Sequence, residues 1–512
     1  MILIIYFFTL SLMISCLTMP AMANIIQAAS CSRADVQAAI NISQDGDTVL
    51  VPSGECIWNS EVTIYDKTIT LIGNGSGIGG TKIIYGGSNH TLLEIDPGTK
   101  TGKVEITGFW FYGGHSDYWS GTAISFGGPK GWKNLLIHNN VFESNKQWTI
   151  SGYAGTQGII YENTFKGSAH GIKFYGDGTD DWESPLNLGN ADFFFVEENN
   201  FDWDDWYGDI GAACMDMYNG GRVVFRYNTV NYGFWETHDM ARSGLVSANA
   251  YEIYKNDFWT NTTKWKGLDI SAGTGVVWEN NFIGGGTWET DWTVPIGAID
   301  YKSFDPRGLL LCDGNDPTDQ NVTGEAGWRC QYQIGTQSEG ATAYSYPLYL
   351  WSNYNNNDLV GMECTGGCEV NERPHLLEGR DFINNGTTSK PGYTSFTYPH
   401  PLRQNATSDV SLLNPLPEKF QLFQNYPNPF NPSTRIQYQV SSISHVSLKV
   451  FDVLGKEVQT LVKEEKPAGQ YEATFDASRL SSGIYFYTLQ VIDPESSSGQ
   501  GFVETKKMIL LK

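Results

Sequence analysis

The sequence predicts an all-β chain: a right-handed parallel β-helix followed by a small C-terminal β-sandwich. Three observations predict it. First, one template recurs as "HNNVF" (138–142), "ENTF" (162–165), "ENNF" (198–201), "YNTV" (227–230), "KNDF" (255–258) and "ENNF" (279–282). Its asparagines, Asn140, Asn163, Asn199, Asn228, Asn256 and Asn280, are spaced by 23, 36, 29, 28 and 24 residues. Second, a short strand-like run such as "NLLIH", "RVVF" or "GVVW" precedes each of them, with no helical pattern between. A repeat of one coil's length, built of strands alone, indicates a solenoid whose coils bury their inward side chains only by stacking. Third, from Pro417 the pattern changes to longer alternating strands with Gly and Pro turns, as in "LKVFDVLGKEVQTLV" and "SGIYFYTL".

Taken in order, the elements begin with residues 1–23, an apolar run ending Ala21-Met22-Ala23. This reads as a secretory signal peptide cut after Ala23. Its n-region lacks Lys and Arg, so a membrane anchor, or lipidation at Cys16, stands as the alternative. No later segment has the ~18 apolar residues of a spanning helix. Residues 24–400 form the β-helix domain. It opens with Ser32 as helix N-cap and a short amphipathic helix with Val36 and Ile40 on one face, expected to cover the open end of the first coil. Within the coils, the aligned Phe142, Phe165, Phe201, Phe258 and Phe282 are expected to stack in the lumen. The asparagines, tolerant of the left-handed conformation, are expected to form a ladder at a bend. Extra residues in the two coils between Asn163 and Asn228 must project as loops. Residues 401–417 read as a linker and 418–512 as the sandwich.

Composition bounds the function. A net charge of −23 over 512 residues argues against nucleic acid and anionic membrane surfaces as partners. Acidic polysaccharide remains open, because a local Lys/Arg cluster or bound calcium reverses the field within a groove. Seven cysteines follow the signal peptide, and sequence proximity suggests the disulfides Cys31–Cys56, Cys312–Cys330 and Cys364–Cys368, leaving Cys214 over. No Ser-His-Asp order, Walker loop or dinucleotide fingerprint is present.

Two resemblances add to this reading. "ADVQAAI…GDTVLVP.G" followed by "ITLIGNG" resembles the opening of secreted proteins of the pectate-lyase-like β-helix superfamily, and the likeness runs from residue 31 to about 400. The ending "GRDFINNG…KPGYTSFTYPHPLR" is similar to that of uncharacterised secreted members. The superfamily includes lyases, hydrolases, esterases and non-catalytic adhesins, so the likeness implies a fold and not an activity. In the C-terminal part, "NYPNPFNP" (425–432), "VFDVLGKEV" and "SGIYFY" resemble the C-terminal sorting domain of the type nine secretion system. That implies export across the outer membrane, then release or attachment at the surface.

In the β-helix enzymes, substrate lies along one parallel sheet. The runs after each Asn motif are "HGIKFYG" (170–176), "CMDMY" (214–218), "FWETH" (234–238), "GLDIS" (267–271) and "GAIDY" (297–301). Alternation points Lys173, Asp216, Glu236 or His238, Asp269 and Asp300 outward, one per coil and about 4.8 Å apart. With Arg242, all of these but Asp300 are the candidate catalytic residues. A polysaccharide lyase needs a cation to neutralise a uronate carboxylate and a base to abstract the neighbouring proton. Lys173, His238, Arg242 and Arg226 are of those types. A glycoside hydrolase needs two carboxyls at about 5–9.5 Å, and Asp216, Glu236 and Asp269 are candidates. Trp119, Trp203 and Trp206 are candidate sugar-stacking walls, with Arg226 beside them as a substrate contact. The loops "DGTDDW" (177–182) and "DWDDWYGD" (202–209) offer Asp177, Asp180, Asp181, Asp204 and Asp205 as candidate calcium ligands. The leading expectation is a secreted lyase acting on uronate-containing polysaccharide by β-elimination. The alternatives are a glycoside hydrolase and a non-catalytic glycan-binding or cell-surface structural protein.

Overall fold

The computed structural model describes residues 23–511, except 78, 87–90, 114–120, 130, 145–147, 154, 169, 179–184, 204–211, 238–247, 262–263, 285–291, 300–332, 340–341, 367–368, 371–372, 375, 407–419, 426, 441–443, 467–468 and 493–501. Its first part is the parallel β-helix expected. Three long sheets of 12, 11 and 10 strands run side by side, and successive strands of the chain pass from one sheet to the next. The first sheet runs from Ile25–Gln27 to Phe382–Asn384, the second from Gly54–Trp58 to Asp358–Val360, and the third from Val62–Tyr65 to Glu363–Gly366.

Local chemistry explains why these residues coil. Asn163 is typical of the ladder. Its Nδ2 donates to the carbonyls of Tyr161 and Ile137, both at 2.9 Å, and to Oδ1 of Asn199 at 3.0 Å. Its Oδ1 accepts the backbone N–H of Asn140 at 3.0 Å. The pattern repeats through Asn199, Asn228, Asn256 and Asn280 and ends on a seventh member, Asn353. One buried side chain thus satisfies backbone groups on two coils, which a sharp bend would otherwise leave orphaned. The left-handed residue is not the asparagine but the one before it. Asn139, Glu162, Glu198, Tyr227, Lys255, Glu279 and Ser352 all have φ between 49° and 57°. Each costs about 1–2 kcal/mol as a non-glycine residue, and the asparagine's bonds hold it there.

The lumen is filled as expected. Phe111, Phe142, Phe165 and Phe201 stack at 5.4, 5.0 and 4.5 Å between successive ring centres, and Phe258 stacks on Phe282 at 5.1 Å. Val230 fills the position between Phe201 and Phe258. The helix Arg33–Ile42 caps the first coil: Ser32 accepts from the N–H of Asp35, and Val36, Ala39 and Ile40 are buried. Lys67 closes its other end, donating to the carbonyls of Ile40, Asn41 and Ser43. The Cys31–Cys56 disulfide ties this cap to the second sheet. Cys364 is also disulfide-bonded, but its expected partner Cys368, like Cys312 and Cys330, lies outside the described residues. Cys214 is a buried free thiol.

Residues 393–406 run back over the outer face of the first sheet as a strap, where Phe396, Tyr393, Leu402 and Ala406 pack on a second apolar cluster. Its last turn is the 3-10 helix Pro401–Asn405, at the start of the expected linker. Farther on, a three-stranded and a four-stranded antiparallel sheet enclose one core that includes Ile436, Leu448, Tyr487 and Met508. This is the seven-stranded sandwich. Among the described residues no helix is long and apolar enough to cross a membrane.

Candidate functional site

The third sheet carries the expected row. In the strand His170–Tyr175, Ile172 and Phe174 point into the lumen and are buried, which turns Lys173 outward. The same alternation buries Met215, Met217, Trp235, Leu268 and Ile270. The register then places Lys173 opposite Asp216, Asp216 opposite Glu236, and Glu236 opposite Asp269. The next partner is Gly297, not Asp300, which lies outside the described residues. Toward the N-terminus the row continues through Ser151, Ser125 and Glu94. One cation and three carboxylates therefore stand on four consecutive coils at strand spacing.

Aromatic rings surround the lysine. Tyr153, Tyr175 and Tyr218 stack in a column with 5.0 Å between centres, and Trp148 stacks on His170 at 4.4 Å. The Lys173 ammonium lies 4.6 Å from the ring of Tyr218, 5.0 Å from Tyr175 and 5.4 Å from Trp148. Burial among these rings lowers the lysine's pKa, against the opposing pull of Asp216 and Glu236. Burial also pushes the Tyr175 hydroxyl up to about 12, aided by the charge of Asp216, so it stays protonated. The Tyr218 hydroxyl is raised too, by burial first and then by Asp216, to which it hydrogen-bonds. Asp216 itself is fully buried and touches its neighbours rather than solvent. Asp269 pairs with the buried Lys266 at 2.8 Å.

None of these rings was singled out by the sequence reading, although a signal existed. "KFY" and "DMY" put a tyrosine two residues beyond each outward Lys173 and Asp216, on the same face.

Two expected substrate contacts are overturned. Trp203 is 1% exposed and stacks under Phe201 at 5.4 Å, so it is lumen filling and not a sugar wall. The acidic residues that follow it suggested a solvated loop, but the strand Asn200–Asp202 delivers the indole inward. Arg226 is equally buried. It lies on the outer face of the first sheet, where it pairs with Glu197 at 2.7 Å and donates to Tyr254 and to the strap carbonyls of Phe396 and Thr397. The strap comes from 170 residues away in sequence, so no local pattern announces that it covers this arginine.

His238, Arg242, Trp119 and Trp206 lie outside the described residues, as do Asp180, Asp181, Asp204 and Asp205. Asp177 is described and half-buried. Among the described residues no group of three His, Cys, Asp or Glu side chains is placed to share one metal ion. No chemical step below uses calcium.

Residues 424–508 match the secretion system C-terminal sorting domain family. The sandwich is a sorting domain. It marks the chain for type nine secretion to the cell surface or beyond, as the motifs around "NYPNPFNP" implied. The sorting domain match does not reach the β-helix, and no curated protein resembles the chain significantly. The pectate-lyase-like likeness of the β-helix therefore rests on its sequence motifs and its fold.

Proposed function

We propose that the third sheet is the groove of an extracellular polysaccharide lyase that cleaves uronate-containing chains by β-elimination. The reading is carried by Lys173, an amine whose pKa is lowered by burial and which sits amid aromatic rings that suit sugar faces. Its neutral form takes the proton α to the uronate carboxylate. The released electron pair forms the ring double bond as the β carbon–oxygen bond breaks. The Tyr175 hydroxyl, still protonated at neutral pH, gives its proton to the leaving oxygen. The phenolate and the new ammonium then restore each other through water. Asp216, its register partner on the next coil, and the Tyr218 ring flank the lysine. Arg242 and His238 are the proposed partners of the uronate carboxylate.

The experiment is incubation of the mature protein with a panel of polyuronates, reading the ultraviolet absorbance of the unsaturated product. Lys173→Met is expected to lower kcat by about 10²–10⁴-fold with folding retained. Full turnover by that variant would remove the lysine from the chemistry.

One observation favours a second reading, glycoside hydrolysis. Glu236 and Asp269 are register partners on adjacent strands, both only partly buried, and strand spacing of about 4.8 Å is close to the 5–5.5 Å between the carboxyls of retaining hydrolases. New reducing ends without ultraviolet product, abolished by Glu236→Gln and kept by Lys173→Met, would select it. Glycan binding with neither product would leave the non-catalytic surface protein.

A further inference from the structure

The sorting domain carries an apolar surface whose partner its core does not supply. On the outer face of the four-stranded sheet, Phe451 stands opposite Phe486, and Ile484 opposite Ile509. Phe451 is the last residue of its strand, so the turn that follows, with Val453 and Leu454, leaves the sheet at the end where the strand carrying Ile484 begins. Val453 is 64% exposed, Ile484 42% and Leu454 90%, the most exposed large apolar side chain among the described residues. These residues gather at one end of one sheet.

The turn that presents them is braced rather than loose. Asp452 Oδ1 accepts the N–H groups of Leu454 at 2.9 Å and Lys456 at 3.0 Å. Asp452 N–H donates to the Lys456 carbonyl at 3.0 Å, and Gly455 N–H to the Asp452 carbonyl at 3.1 Å. Gly455, at φ +78°, supplies the left-handed step that closes the turn. The turn so held carries its leucine into solvent. Exposed apolar clusters on an ordered scaffold mark interaction sites. The family match says which partner to expect, because residues 424–508 include Val453, Leu454 and Ile484 and define a domain read by a secretion apparatus.

We infer that the Val453–Leu454 turn, with Ile484, is the anchor by which the folded sorting domain docks into an apolar pocket on a protein of the type nine secretion machinery. Leu454 is the central knob, and the polar turn residues Asp452 and Lys456 form its rim. The inference concerns the sorting domain alone and stands whatever the groove on the β-helix does.

The test uses the full chain expressed in a bacterium that carries the type nine system, and reads the share of the chain that reaches the outside. Leu454→Asp is expected to reduce export by at least about tenfold, the scale of losing one buried anchor. Val503→Asp alters another exposed apolar residue, at the opposite end of the same sheet facing Gln490, and is expected to leave export unchanged. A photocrosslinking residue at 454 is expected to capture one secretion component, and at 503 none. Wild-type export of Leu454→Asp would overturn the inference. So would equal loss with Val503→Asp, or a crosslink at 454 to a second copy of this chain or to nothing.

Discussion

Asn228→Ala is expected to cost the β-helix about 3–5 kcal/mol, read as a lower urea midpoint. The Asn228 side chain donates to the carbonyls of Val196 and Arg226 and to Oδ1 of Asn256, at 2.9, 3.0 and 3.1 Å. It accepts the backbone N–H of Asn199 at 2.9 Å. Removing it strands two carbonyls and one N–H in a place water does not reach, and each orphaned group costs about 1–3 kcal/mol. It also unlocks Tyr227, held at φ 57° only because the ladder pins the bend. The exposed neighbour Asn200 is the control, and its replacement by Ala should move stability by no more than about 0.5 kcal/mol. A cost below about 1 kcal/mol for Asn228→Ala would mean that stacked phenylalanines, not the ladder, hold the coils in register.

Arg226→Met is expected to cost about 3–5 kcal/mol and to release the strap. The substitution leaves Glu197 buried without its main counter-charge and leaves the carbonyls of Phe396 and Thr397 without donors. Limited proteolysis should then cut residues 393–406 well before the coils. Glu197→Gln added to Arg226→Met should recover part of the loss, because the uncompensated charge is gone. Arg403, which pairs with Glu197 and Glu198, explains why recovery is partial. The strap also makes the domain acid-sensitive. Burial, with the cations Arg226 and Arg403 nearby, lowers the His400 imidazole from 6.5 to about 4. Its contribution is complete above about pH 6.5. As the pH falls toward 4, the unfolded chain binds a proton that the folded strap refuses, and on the order of 3 kcal/mol is lost. His400→Gln should flatten that pH dependence of strap proteolysis. Unchanged protection from pH 7 to 4 would place the neutral imidazole elsewhere.

Much of this molecule was written locally. The Asn template located the bends, and period-two alternation set the side from which Lys173, Asp216, Glu236 and Asp269 project. Both are properties of a few adjacent residues, so they survive without knowledge of the rest of the chain. The seventh ladder member, Asn353, was missed because 73 residues separate it from Asn280, a gap with no repeat length. Asp300 was placed in the row by counting, whereas pairing put Gly297 there.

Whether an outward residue meets solvent was decided only in three dimensions. Arg226 and Lys173 both project outward from their sheets, yet the strap buries the first while stacked rings leave the second half-open. The sorting domain's address was legible in "NYPNPFNP", but its exposed Val453 and Leu454 look in sequence like ordinary strand residues. The sequence by itself determined the coil, the outward row and the route of export. The tertiary structure decided which outward residues are covered, because covering depends on segments far away in the chain, and no local periodicity encodes them.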